Sequence, residues 1–281
     1  MATTRAFPLS VRVVTLAFVS SLFGSAQSPV LQKFVGVWLE DEAKLKIGDS
    51  MGNLRFRQAA DGGLEELRGF DAKPLVEPVK FGGVKPYAID GSKNTIEWKQ
   101  IDAKHFERKI FHEGKLQNTR KIEISDDGRT LTEVRESVLA NGKKSLATVT
   151  FQRTSGGQQG LVGIWKAVAF KRSSSPTVHY ELTAAGELKV SDDIGGNERG
   201  FTVKMDNTPV PVVGASVISG TMVSFRVVDD RTLESTTSSG GVATAKEILS
   251  LSDDGKVITG TTTLIGPNGN KEPTVRVFNK K

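Results

Sequence analysis

The chain has 281 residues, with 38 lysines and arginines against 32 aspartates and glutamates, a formal net charge of +6 and no cysteine. Without cysteine, neither disulfide bonds nor thiolate metal ligands are available, so each domain must be stabilised by its hydrophobic core. Charges of both signs alternate along the chain without a basic block. This pattern is typical of a solvated surface of mixed sign and argues against a nucleic-acid partner.

The N-terminus predicts export. Residues 1–12 hold two arginines and no acid, residues 13–23 are mostly apolar, and Gly24-Ser25-Ala26 follow. This is the pattern of a cleavable signal peptide, and the apolar run is too short for a membrane anchor, which needs about 20 residues. We therefore expect a signal peptide over 1–26, a mature chain beginning near Gln27 and a periplasmic or extracellular location. The absence of cysteine from an exported chain favours a bacterial origin.

An internal repeat organises the remaining sequence. Phe34-Val-Gly-Val-Trp38 recurs 127 positions later as Leu161-Val-Gly-Ile-Trp165, and Ser125-Asp-Asp-Gly128 recurs at the same spacing as Ser252-Asp-Asp-Gly255. Apolar positions between these anchors also match in kind. One domain is therefore present in two tandem copies.

The boundary between the copies is predicted in the Gly- and Gln-rich segment 154–160, which has the composition of a short linker. This places domain 1 at 27–157 and domain 2 at 158–281. Because few contacts cross a linker of this kind, each domain is expected to fold alone.

The local pattern within each copy predicts strands. Apolar and polar residues alternate in Val223–Val227 and in Ile122–Ile124, and Asp-Gly and Asn-Gly pairs separate such runs. We expect about eight short strands per copy and one short helical segment within Glu40–Ile47. The predicted fold class is all-β, with two tandem antiparallel β-barrels.

The two ends of each copy predict how its barrel closes. Gly-x-Trp opens each copy and a basic residue ends it, so pairing the first and last strands would remove the exposed sheet edges. We expect each copy to close on itself, with Arg153 over Trp38 and Lys280 over Trp165. Pairing across the copies is the less favoured alternative, because consecutive elements usually pack locally.

These features resemble the calycin superfamily, and more narrowly the bacterial exported lipocalin-like domains that begin Gly-x-Trp-Lys. The second copy carries Gly163-Ile-Trp165-Lys166, Pro211-Val-Val213 and Ser252-Asp-Asp-Gly-Lys256, whereas the first has Leu39 where lysine is usual. The resemblance covers nearly the whole mature chain. It implies a barrel able to hold an apolar ligand, and it implies no catalytic chemistry.

No motif in the sequence predicts catalysis. The three histidines are His105, His112 and His179, none has an equivalent in the other copy, and no nucleophile motif accompanies them. The two Asp-Asp-Gly segments lack the ligand spacing of a calcium loop and are interpreted as turns. The prediction is a non-enzymatic protein with no catalytic residue, metal site or cofactor.

The aromatic residues leave two functions open, and a lipocalin-like enzyme that acts through carboxylates is a third and less favoured hypothesis. Trp98, Phe106 and Phe225 are the residues expected to face any ligand, because they lie on predicted inward strand positions. The leading hypothesis is a binding protein for a small apolar or amphipathic molecule inside a barrel. The alternative is a structural or interaction module with solid cores and an external macromolecular partner. A cavity of roughly 300 Å³ or more inside a barrel would favour the first hypothesis.

No membrane insertion is expected, because the aromatic girdles of outer-membrane barrels are missing. The sequence leaves the oligomeric state open.

Overall fold

A computed structural model of the protein describes residues 29–68, 75–86, 94–138, 144–157, 159–193, 199–214, 217, 220–265 and 271–281. The predicted signal peptide over 1–26 and the two Asn-Gly turns at 141–142 and 268–269 lie outside these ranges.

The described residues form one short helix, two 3₁₀ turns at Glu42–Lys44 and Asp49–Met51, and 21 strands. The first part of the chain contains α1 Pro29–Phe34, β1 Gly36–Glu40, β2 Leu54–Gln58, β3 Leu64–Arg68, β4 Leu75–Val79, β5 Val84–Pro86, β6 Asn94–Gln100, β7 His105–His112, β8 Lys115–Ile124, β9 Thr130–Val138 and β10 Lys144–Ser155. The second part contains β11 Gly163–Arg172, β12 Thr177–Leu182, β13 Leu188–Asp192, β14 Arg199–Val203, β15 Val210–Pro211, β16 Val213–Gly214, β17 Thr221–Asp229, β18 Thr232–Ser239, β19 Val242–Leu251, β20 Val257–Leu264 and β21 Thr274–Lys280.

These strands form two nearly closed antiparallel barrels, which confirms the predicted fold class. Barrel one is a ten-stranded sheet in the order β4-β3-β2-β11-β10-β9-β8-β7-β6-β5. Barrel two is an eleven-stranded sheet in the order β15-β17-β18-β19-β20-β21-β1-β12-β13-β14-β16. Each sheet has more strands than the eight expected, because it includes short strands at its ends, such as β5, β15 and β16.

Alternating burial and tight turns explain why these segments are strands. In β6, side chains alternate between buried and partly exposed positions from Asn94 to Trp98. At the turn between β8 and β9, the Asp127 carboxylate accepts hydrogen bonds from the Ser125 hydroxyl and the Arg129 N–H, and Gly128 has φ of 67°. The equivalent bonds recur at Asp254. The two Asp-Asp-Gly segments are therefore turns.

The helical prediction was partly wrong. Within Glu40–Ile47 only the 3₁₀ turn Glu42–Lys44 forms, whereas α1 was not predicted. Leu31 and Phe34 of α1 are buried in the core of barrel two. This short helix therefore belongs to the barrel that contains most of the second copy.

Each barrel contains the first strand of the other copy. Strand β1 pairs with β21 and β12 in barrel two, and β11 pairs with β10 and β2 in barrel one. The prediction that each copy closes on its own last strand is therefore wrong. Barrel one is built from the continuous segment 54–172, and barrel two from β1 together with 177–280. The chain crosses between the barrels twice, at 41–53 and at 173–176.

The strand exchange also exchanges the cation–ring contacts. The Arg153 guanidinium lies 3.9 Å from the Trp165 ring centroid, and the Lys280 ammonium lies 5.1 Å from that of Trp38. The expected partners, Arg153 with Trp38 and Lys280 with Trp165, are therefore corrected. Both contacts still lie where a first strand meets a last strand, since Arg153 is in register with Trp165 and Trp38 with Lys280.

The Gly-x-Trp motif has a steric explanation at these closures. Gly36 and Gly163 have φ of 141° and 142°. A side chain at Gly163 would meet the Ser155 carbonyl oxygen at 2.4 Å, and one at Gly36 would meet the Lys280 side chain at 2.9 Å. The backbone conformation therefore favours glycine at both positions, and the close approach of the last strand's backbone also requires it at Gly163.

A buried carboxylate accounts for pairing across the copies. Glu40 ends β1, is 2% exposed and pairs with Arg276 of barrel two and with Arg172 at the end of β11. In the repeat alignment its equivalent is Ala167, which is 4% exposed in barrel one. If copy one closed on itself, Glu40 would occupy the apolar Ala167 position and lose Arg276. An unpaired buried charge costs several kcal/mol, which favours the exchanged arrangement.

Candidate ligand-binding site

A row of arginines crosses the inner face of barrel one. Neighbouring strands place Trp98 opposite Arg108, Arg108 opposite Arg120, Arg120 opposite Arg135, Arg135 opposite Ala147, and Ala147 opposite Arg172. We name Arg108, Arg120, Arg135 and Arg172 the arginine row. Their side chains are 2%, 16%, 25% and 9% exposed, so all four are largely withdrawn from solvent.

Barrel two has the same row of strand positions but different chemistry. The registered residues there are Phe225, Ser235, Glu247, Thr262 and Thr274. The repeat therefore preserved the strand register, while Arg108, Arg120 and Arg135 of barrel one correspond to Ser235, Glu247 and Thr262 of barrel two. This difference could have been found in the sequence, because each of these three pairs is separated by 127 positions.

Buried carboxylates neutralise much of the arginine row. Arg108 donates to both oxygens of Glu66, at 3.2 and 3.1 Å. Glu133, 1% exposed, forms ion pairs with Arg135 and with Arg120. Burial raises the pKa of the Glu133 carboxyl, but the guanidiniums of Arg135 and Arg120 outweigh this effect and bring the pKa to about 2.

This depressed pKa predicts how stability depends on pH. The Glu133 contribution should be complete above the unfolded-state pKa of about 4.3 and lost as the pH falls through about 2. Glu133→Gln should therefore lower the free energy of unfolding at pH 7 by about 3 kcal/mol, the usual cost of breaking a buried ion pair. Between pH 5 and pH 2 this variant should lose less stability than the wild type, because it has no carboxylate to protonate at position 133. Urea unfolding across this pH range is the measurement.

Glu136→Gln, on the exposed pair with Lys144 of the same barrel, is the control. Parallel pH curves for wild type and Glu133→Gln would contradict the assignment.

A cavity of about 210 Å³ lies where the chain crosses between the barrels. We name it the crossover cavity. Its lining comes from β9, β10 and β11 of barrel one, from β14 and β21 of barrel two, and from both crossing segments. The lining residues are Ser50, Met51, Arg135, Ser137, Ser145, Ala147, Phe170, Arg172, Ser174, Pro176, Asp193, Arg199 and Arg276.

Two of the cavity's arginines belong to the arginine row and two come from barrel two. Arg199 donates through Nε to both oxygens of Asp192, at 2.8 and 2.9 Å, and Arg276 donates to Glu40 at 2.6 Å. Burial lowers the pKa of Arg172, and the nearby Arg276 cation lowers it further. Guanidiniums from both barrels therefore face one small space.

The interior of barrel two holds a second polar group that sequence reasoning missed. Glu247 accepts a hydrogen bond from the Thr262 hydroxyl at 3.1 Å, and burial raises the pKa of its carboxyl. Burial also raises the pKa of the Tyr180 hydroxyl, and Glu247 raises it further. The signal was present in the repeat, where Glu247 corresponds to Arg120, a charge of opposite sign at one inward position.

The residues predicted to line a ligand lie in the packed cores. Trp98 and Phe106 are 2% and 4% exposed in the core of barrel one, and Phe225 is 3% exposed in that of barrel two. Trp98 packs edge-on against Phe56, with the Arg108 guanidinium 5.4 Å from its ring centroid. Among the described residues, no acceptor bonds the buried indole N–H of Trp98. None of the three lines the crossover cavity.

Within the described ranges, two of the three histidines contact neighbouring polar side chains. His105 contacts Asp102 at 2.8 Å on the surface, and His112 contacts Asn94 at 2.8 Å. Over the same ranges, no group of three or more His, Cys, Asp and Glu residues could hold a metal ion. In that part of the chain, no helix has the length and apolar character needed to cross a membrane.

Comparisons with known proteins do not identify a family for this chain. No protein-family model matches the chain, and no curated protein matches it. Among solved structures, it is similar to the crystal structure of a protein of unknown function from the DUF3598 family of Nostoc punctiforme. The two are 12% identical, the match covers 91% of this chain and 99% of that chain, and the TM-score is 0.28. At that score, the likeness supports no conclusion about fold or function.

Proposed function

We propose that the protein is an exported, non-enzymatic binding protein that holds one small amphipathic molecule in the crossover cavity. The observation that carries the proposal is the cavity itself. It has a volume of about 210 Å³ and combines apolar side chains, including Met51 and Phe170, with guanidinium and hydroxyl groups. Ligand sites are commonly concave and largely apolar, with a few placed polar groups.

The size of the cavity restricts the ligand. A volume of about 210 Å³ has room for roughly seven waters at ~30 Å³ each, below the ~300 Å³ low end for drug-sized ligands. The ligand is therefore about as large as a single aromatic ring with one polar substituent. This revises the hypothesis of a ligand inside a barrel, because the cavity lies between the barrels.

Export and the absence of catalysis are supported by the sequence alone. The signal-peptide pattern over 1–26 supports export, and the mass of the exported chain should correspond to a start near Gln27. The resemblance to lipocalin-like domains, with no nucleophile motif in the sequence, supports a binding role. A cavity between tandem barrels extends this role to a site that needs both copies.

The proposal is tested by filling the cavity. Ala147 lies on β10 and lines the cavity, whereas the adjacent Leu146 is 45% exposed and does not. Ala147→Phe should abolish binding of benzamide and benzoate, and Leu146→Phe should leave it unchanged. Calorimetric titration measures affinity, and backbone amide NMR shifts locate the bound probe. Unchanged binding of both probes in Ala147→Phe, with shifts away from the cavity, would refute this site.

A further inference from the structure

We propose that the crossover cavity is an oxyanion site, and that its ligand carries a carboxylate or phosphate group bound by arginines from both barrels. This inference rests on the proposed binding function and names the chemical class of the ligand. It is carried by the distribution of charge around the cavity and by the difference between the two copies.

The cavity lining is strongly cationic. Among the described residues, it contains the guanidiniums of Arg135, Arg172, Arg199 and Arg276 and one carboxylate, that of Asp193. The Asp193 carboxylate accepts a 2.7 Å hydrogen bond from the Thr177 backbone N–H. The acids in ion pairs with these guanidiniums, Glu40, Glu133 and Asp192, are not part of the lining and are at most 6% exposed. These three carboxylates therefore lie behind the cations, whereas Asp193, which also stabilises the charged form of Arg172, faces the cavity.

The ion pairs leave capacity for a bound anion. Arg135 pairs with Glu133 and Arg276 pairs with Glu40, and each guanidinium carries five N–H donors. Among the described residues, Arg199 binds Asp192 through Nε, and its side chain is 42% exposed. The planar fork of a guanidinium fits the two oxygens of a carboxylate or phosphate.

A bound anion would also relieve an unfavourable arrangement. Burial lowers the pKa of Arg172, and the nearby Arg276 cation lowers it further, against the opposing effect of Glu40, Glu42 and Asp193. A bound oxyanion would offset this repulsion, whereas an ammonium ligand would increase it. Such charge-assisted hydrogen bonds are stronger than neutral ones.

The apolar side of the cavity accounts for the rest of the ligand. Met51, Phe170 and Pro176 form the apolar part of the lining, and the Arg276 guanidinium donates to the Met51 sulfur at 3.1 Å. The Arg172 guanidinium lies 4.5 Å from the Phe170 ring centroid, so the cation and the apolar surface are in contact. An anion with a short apolar body matches this lining better than a free inorganic ion does.

The divergence of the copies sets the stoichiometry. Arg135 corresponds to Thr262 in barrel two, and Arg108 and Arg120 correspond to Ser235 and Glu247. Barrel two therefore has no equivalent of the arginine row. The site needs the crossing segments as well as both barrels, so one anion per chain is expected.

The test compares probes of equal size and different charge on the full mature chain. Benzoate and benzamide are nearly isosteric, so the expected affinity of benzoate is at least about tenfold higher, from the advantage of charged over neutral hydrogen bonds. Benzylamine should bind more weakly than benzamide. Comparing the affinities of phenyl phosphate and benzoate shows whether the site prefers a phosphate or a carboxylate head group. The affinity of inorganic phosphate alone tests whether the apolar body of the ligand is needed.

Substitutions assign the effect to the cavity. Arg172→Gln and Arg276→Gln should each lower benzoate affinity about tenfold while changing benzamide affinity less than about twofold. Glu40 retains one partner in each variant, which limits the structural cost. Arg172→Lys, which keeps the charge without the fork, should give an intermediate affinity. Arg226→Gln, on the exposed pair with Glu234, is the control that should leave both affinities unchanged.

The outcomes separate the two proposals. Equal affinity for benzoate and benzamide, both lost in Ala147→Phe, would overturn the oxyanion inference and leave the binding function standing. Binding of benzoate that persists in Ala147→Phe would overturn both. Failure of every probe to bind at 10 mM, a concentration at which even a Kd of about 1 mM is saturating, would also overturn both.

Discussion

Replacing Trp165 with alanine is expected to destabilise barrel one by about 3–5 kcal/mol, the range for emptying a large aromatic core site, and to leave barrel two nearly unchanged. Trp165 is fully buried, and its indole N–H donates to the Leu161 carbonyl at 2.8 Å. It packs in the core formed by β2 and β6–β10, although its sequence belongs to the second copy. The loss of stability should therefore appear in barrel one, which contains most of the first copy.

Hydrogen exchange resolved by residue measures this prediction, because it reports the opening of each barrel separately. Trp165→Ala should accelerate exchange of β10 amides and spare those of β21. Trp38→Ala is the matched variant and should give the reverse, since Trp38 packs in the core of barrel two. Lys280→Ala should cost no more than about 1 kcal/mol, as expected for an exposed cation over a ring. Faster exchange of β21 rather than β10 in Trp165→Ala would contradict the strand exchange.

The repeat and the barrels could be predicted from the sequence because they depend on local signals. Alternating apolar residues define strands, Asp-Gly turns join them, and a constant offset of 127 positions between matching residues reveals the duplication. The exchange of first strands could not be read in this way. Phe34–Trp38 and Leu161–Trp165 carry the same pattern and fit the same place in a barrel. Local pattern does not distinguish a strand that pairs within its copy from one that pairs outside it.

The candidate site was missed for a related reason. Aromatic residues were expected to mark a ligand, but Trp98, Phe106 and Phe225 are the core residues that any barrel of this size requires. The informative positions were those at which the copies differ in charge, such as Arg135 against Thr262. Their meaning depends on the crossover, because the cavity combines arginines from barrel one with Arg199 and Arg276 from barrel two. No pattern within one copy contains that juxtaposition.

The strand exchange changes which fragments are expected to fold. Segment 46–174 contains all ten strands of barrel one and its whole buried core. It should fold alone and unfold cooperatively. Domain 1 as defined by the repeat, 27–157, lacks β11 and has only β1 to replace it. Strand β11 has ten residues and β1 has five, so the Ala147–Thr150 part of β10 would lose its partners at Ala169–Arg172.

Fragment 27–157 should therefore be unfolded or associate through its open edge, because unpaired strand edges pair with other chains. Its β1 would also bring Glu40 to the apolar position of Ala167, without Arg276 to pair with it. Circular dichroism and the dispersion of amide NMR signals measure folding, and sedimentation measures association. Adding Glu40→Ala to 27–157 is the matched control. If the buried charge opposes self-closure, this variant should recover part of the folded signal. A folded, monomeric fragment 27–157 together with an unfolded fragment 46–174 would instead show that the copies close on themselves.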